Sequence, residues 1–71
     1  MKLISVDPSC GHTTVIIEKA SVQYCVMVSA FTGGMFKDEV YENATFRKIR
    51  NDSKRYSELM IFAKAAIASA N

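Results

Sequence analysis

The hydrophobic period of this chain changes once, and that change constrains the fold more than any other feature. From Ser21 to Ala30 the residues alternate, with Val22, Tyr24, Val26 and Val28 pointing one way and Gln23, Cys25, Met27 and Ser29 the other. Alternation is the signature of a strand buried on one face. From Tyr56 onward, Leu59, Met60, Ala63, Ala66, Ile67 and Ala70 recur at spacings of three and four. That is the period of a helix with one apolar stripe. A sheet face and a helix stripe bury themselves most simply against each other.

The remaining elements are placed around these two. Lys2 to Val6 reads as a first strand closed by the turn Asp7-Pro8-Ser9, because proline fixes its own backbone and restricts the residue before it. Thr13 to Glu18 is rich in β-branched residues, which favour a pleated backbone. Glu18-Lys19-Ala20-Ser21 has the length of a hairpin connection. Gly33-Gly34 marks a further reversal. Residues 35–49 fit either period: extended, they alternate at Val40, Glu42, Ala44 and Phe46, and as helix they gather Phe36, Val40, Tyr41 and Ala44. The reading taken is extended, with a reversal near Glu42-Asn43. Asp52 or Ser53 can accept hydrogen bonds from the first amides of the helix and so cap it. The expected fold is α+β, a three- to four-stranded antiparallel meander packed on one C-terminal helix, as one domain over residues 1–71.

Composition bounds the function. At 71 residues, 49% hydrophobic and 23% charged, the chain has enough apolar surface to fold and too little length for two cores. No stretch matches a signal peptide, and LMIFAKAAIASA contains Lys64 and falls short of the ~20 apolar residues a bilayer requires. A cytoplasmic location is therefore expected, with Cys10 and Cys25 as reduced thiols. Asp7, Cys10, His12 and Cys25 are the only residues resembling a metal set, and they lack the paired spacing of zinc ligands. A single histidine leaves no evident nucleophilic triad, and the two adjacent glycines carry no phosphate-loop pattern. No metal, cofactor or catalytic set is expected, so the chain reads as non-enzymatic.

The net charge of +2 conceals an uneven distribution. Residues 37–46 carry Asp38, Glu39 and Glu42 against Lys37, a net −2, and residues 47–55 carry Arg47, Lys48, Arg50, Lys54 and Arg55 against Asp52, a net +4. Lying side by side, the two segments neutralise each other in part; lying apart, they present two patches that steer charged partners. On the helix, Ile61 falls with Ala65 and Ala68 opposite the core stripe, a second apolar strip available for association with a partner or a second copy. Edge strands offer another route to a homodimer.

Three resemblances follow from these segments. ISVDPSCG, two further strands and KRYSELMIFAKAAIAS resemble the first half of a ribonuclease H-like nuclease, with Asp7 in the place of the first metal-binding carboxylate and Glu58 in that of the helix glutamate. The resemblance implies a nuclease remnant, since the later carboxylates of that fold have no counterpart here. RKIRNDSKR gathers five cations in nine residues, a patch suited to binding nucleic-acid phosphate, and strands followed by a helix ending in KAAIASA are similar to double-stranded RNA-binding domains, though without that family's basic helix-start signature. In size and style the chain resembles small bacteriophage proteins that inhibit host machinery, anti-CRISPR proteins and polymerase inhibitors among them. That resemblance implies an inhibitor in the host cytoplasm that occupies the surface of a nucleic-acid-handling protein complex through one of its charged patches. This is the leading expectation.

Overall fold

Local chain reversals set the architecture. The computed structural model describes residues 1–9, 11–29 and 37–70, without the side chains of Ser9 and Ala70. Five strands run in chain order: β1 (Lys2–Ser9), β2 (His12–Lys19), β3 (Val22–Ser29), β4 (Glu39–Glu42) and β5 (Arg47–Lys48); helix α1 (Lys54–Ala70) follows. The sheet order is β1-β2-β3-β4-β5 and every pair is antiparallel, so the sheet is a meander with α1 packed on one face. The two-residue β5 takes the strand count beyond the expected three to four.

The β2–β3 connection is Ala20-Ser21, with φ of 52° and 66° between the paired residues Lys19 and Val22. Two successive left-handed residues make the primed turn whose twist matches the flanking strands. Gly11, at φ 92°, stands in the β1–β2 reversal, where a Cβ would clash. Gly33-Gly34, Met35 and Phe36 lie outside the described residues, as does Cys10.

One expectation is corrected in β1. The strand does not stop at Val6 but continues through Asp7, Pro8 and Ser9, with Pro8 paired to Thr13. Proline is compatible with an edge strand because its missing N–H can face solvent. The register of β1 slips between Leu3 and Ser5, a bulge at Ile4. Such a bulge turns an edge away from pairing with a further strand.

The core lies between the sheet and the helix. Val15 and Ile17 of β2, Tyr24 and Val26 of β3 and Val40 of β4 meet Leu59, Met60 and Ala63 of α1, with Ile49 closing one end. Val6, Val22, Val28, Tyr56, Phe62 and Ile67 pack around them. The alternation read in β3 and the helix stripe are both present. Phe62 and Ile49 were absent from those readings: Phe62 flanks the stripe, and Ile49 follows the end of β5.

Residues 39–42 and 47–48 are extended, as expected, with the reversal between them. The chain reverses through Asn43–Phe46, and the Phe46 N–H donates to Glu42 O at 2.8 Å. Ala44 and Phe46 thus belong to the turn and not to an alternating strand. Of the two candidate caps, Ser53 serves: its Oγ accepts from the Tyr56 N–H at 3.2 Å and donates to Arg50 O at 2.7 Å. A serine cap contributes about 1 kcal/mol. Asp52 instead pairs with Arg50 at 3.0 Å.

Candidate functional site

Two charged groups adjoin in the sequence, and the fold treats them differently. Two of the acidic residues, Asp38 and Glu39, are engaged within the protein through their side chains. Asp38 Oδ1 accepts the Ser29 N–H at 2.7 Å, and its Oδ2 lies 3.7 Å from Lys64 Nζ on α1. The backbone carbonyl of the same residue accepts the Tyr56 hydroxyl at 3.3 Å. Glu39 accepts the Tyr41 hydroxyl at 2.8 Å and pairs with Lys48 at 3.6 Å. Glu42 pairs with Tyr24 on one side and Arg47 on the other in the strand register. All three are half-buried. Their charge raises neighbouring phenols: the Tyr41 pKa goes up mainly through its bond to Glu39, and that of Tyr56 goes up through burial first and then through Asp38 and Glu39.

The basic residues face water. Arg47 and Lys48 form the edge strand β5, Arg50 follows it, and Lys54 and Arg55 open α1; every one is exposed. Lys48, Arg50 and Lys54 have carboxylate neighbours at 3.6, 3.0 and 4.0 Å. Exposed pairs of this kind are worth well under ~1 kcal/mol and leave the cations accessible. Arg47 and Arg55 have no carboxylate partner among the described residues; Arg55 instead lies 5.9 Å from the Tyr24 ring centroid. A shallow groove of about 270 Å³ runs between Lys48, Ile49, Arg50, Ser53 and Arg55. The first turn of α1 has no acidic residue, so Lys54 and Arg55 add their charge to the positive end of the helix dipole. A local arrangement that costs stability and concentrates positive potential is suited to an anion.

Thus the two segments partly neutralise each other across β4 and β5, and the remainder is a basic ridge along β5 and the start of α1. The apolar strip Ile61, Ala65 and Ala68 lies on the exposed side of α1, with Ile61 71% exposed.

The two nuclease-like carboxylates are not brought together. Asp7 pairs with Thr14, one position out of step with the buried Val15, and so faces away from α1. Glu58 is on α1 and is held by Lys19 Nζ at the opposite end of β2. Among the described residues, no group of three or more His, Cys, Asp or Glu side chains could hold a metal ion. Cys25 is a free thiol on the face away from α1, and burial pushes its pKa up. No helix among the described residues is long and apolar enough to cross a membrane.

Glu58 illustrates how charge supports the fold. The hydrogen bond from Lys19, then the charges of Lys19 and Lys54, hold its carboxyl below the usual glutamate value. A carboxyl whose pKa is depressed by folding stabilises the native state above its unfolded pKa and loses that contribution as pH falls through the folded value. Thermal melts across acidic pH should therefore show stability declining below about 4.5, with a shallower decline in Glu58→Gln. Equal slopes for the two proteins would remove Glu58 from the acid response.

The sequence singled out the cations but not a second feature, the face of the sheet away from α1. There Cys25, Met27, Tyr41, Asn43 and Phe46 line a groove of about 300 Å³ whose surface is almost wholly apolar. The outward half of the β3 alternation pointed to Cys25 and Met27. Nothing local brought Tyr41 and Phe46 beside them.

Comparison of the chain with family models, with curated proteins and with solved structures finds no match.

Proposed function

We propose that this chain is a small non-enzymatic interaction protein that docks the basic ridge of β5 and α1 onto an anionic surface of a larger nucleic-acid-handling complex. The observation that carries this reading is the division of charge: Asp38 and Glu39 are bonded within the fold, and Arg47, Lys48, Arg50, Lys54 and Arg55 are all exposed. Cations gathered on one edge steer an acidic partner and set its orientation. Occupying such a surface blocks whatever else binds there, which is how the small phage inhibitors that the chain resembles in size and style act on host complexes.

The same ridge supports a second reading, direct binding of nucleic acid, favoured by Arg47 and Arg55 having no carboxylate partner among the described residues. Phosphate contacts release counterions, so affinity for a polyanion falls steeply with salt.

Two measurements separate the readings. In the first, fluorescent duplex DNA, single-stranded DNA and RNA are titrated with the chain at low and moderate salt. Affinity that falls with salt, and falls again in the triple variant R47Q/K48Q/R50Q, supports nucleic acid; no binding at low salt discards it. In the second, wild type and the triple variant are used as bait in extracts of the native host. A complex retained by wild type and lost from the variant is the expected result. A complex retained equally by both overturns docking through the ridge.

A further inference from the structure

The face of the sheet opposite α1 is a second surface, which shares Lys48 with the basic ridge. The register places Ile16, Cys25, Tyr41 and Lys48 in one row across β2 to β5, with Thr14, Met27 and Glu39 in the adjacent row. These positions alternate with the buried Val15, Ile17, Val26 and Val40, so they point away from the helix. The centre of this face is apolar and the charges lie toward its margins. That is the pattern of a protein interface: an apolar middle with a polar rim.

Phe46 stands at the lip of the groove on this face. It is 80% exposed, and its φ of 56° lies in the left-handed region that disfavours side chains bearing a Cβ. The position suits glycine or asparagine, yet it holds an aromatic ring at the lip of the groove formed with Cys25, Met27, Tyr41 and Asn43. Projection and groove are therefore neighbours on a single face. A two-fold contact needs this arrangement, because each copy must offer both the inserting group and the receiving site on the same patch.

We propose that two copies of this chain associate through this face, with Phe46 of each seated against the Cys25, Met27 and Tyr41 groove of the other. Charge favours a second copy over a polyanion. Lys2, Asp7, Glu18, Glu39 and Lys48 belong to the outward rows, so the face carries both signs and does not repel its own kind, whereas three carboxylates oppose phosphate. Lys54 and Arg55 lie on α1, across the sheet from this contact, so a dimer keeps the helix part of the ridge accessible.

The test is sedimentation equilibrium of the full chain from micromolar to millimolar concentration. The expected result is a reversible dimer of twice the 7.9 kDa chain mass. Phe46→Gly should weaken the dissociation constant at least about tenfold, as loss of a central aromatic anchor does, while the monomer still folds because glycine accepts the φ of this position. Met27→Lys, at the centre of the face, should weaken it likewise, with circular dichroism confirming the fold. Ile61→Glu, on the far side of α1, should leave it unchanged. A monomer at every concentration overturns the proposal, as does a dimer indifferent to both Phe46→Gly and Met27→Lys, or one abolished by Ile61→Glu. Added mass that nuclease treatment removes would assign the species to nucleic acid and overturn it equally. Failure of the dimer leaves the ridge measurements untouched, so the two readings fall separately.

Discussion

Replacing Leu59 by alanine should lower the melting temperature by roughly 15 °C, from a loss of about 3 kcal/mol. Leu59 is fully buried, at the centre of the α1 stripe, and meets core side chains from the sheet. Removing its terminal carbons forfeits their transfer from water and leaves a cavity. A two-layer domain of this size has only one core to absorb the loss, and at ~0.1 kcal/mol per residue its whole stability is roughly 7 kcal/mol. The control is two positions along. Ile61 is a comparable aliphatic side chain on the same helix but 71% exposed, so Ile61→Ala should stay within about 0.5 kcal/mol of wild type. Paired thermal melts check both, and similar shifts for the two would mean that the helix does not present the face described.

Asp38→Ala should have the second-largest effect, a loss of about 1.5 kcal/mol. Its side chain joins three elements: it accepts from the end of β3 at Ser29, precedes β4, and lies opposite Lys64 on α1. The carboxylate is about one-third exposed, so the pairing with Lys64 contributes little and most of the loss belongs to the charged acceptor of the Ser29 amide. Asp38→Asn keeps an acceptor oxygen without the charge, so it should recover part of the loss. Lys64→Ala should cost less than Asp38→Ala. The reverse order would make the ion pair the principal contact.

This second case shows how far charge can be read from sequence. The −2 and +4 segments are plain in the chain, and so is their adjacency. Their consequences differ because Asp38 and Glu39 sit beside bond donors from other elements, Ser29 and Lys64 for one and Lys48 for the other. Arg47 and Arg55 meet no carboxylate among the described residues. Partners brought in from across the sheet leave no local signal. The same reason hid Ile49, a single aliphatic residue in a basic run that closes the core between β5 and α1. Pro8 misled in the opposite direction: its local preference for ending a strand yielded to the solvent-facing side of an edge, and only the strand order reveals that β1 is an edge.

What the sequence determined by itself is periodic and short-range. Alternation in Val22–Ser29 specified a one-faced strand, the spacing of Tyr56 to Ile67 specified the helix and its stripe, and Ser53 supplied a cap three residues before the amide it accepts. Each depends on neighbours within a few positions, where backbone geometry decides which side chains share a face. The tertiary structure alone decided which charges remained exposed and that Phe46, Met27, Cys25 and Tyr41 share one groove. Those groupings depend on strand register and on which face of the sheet the helix covers. Both are set by the summed burial of many side chains, so no single segment of the chain encodes them.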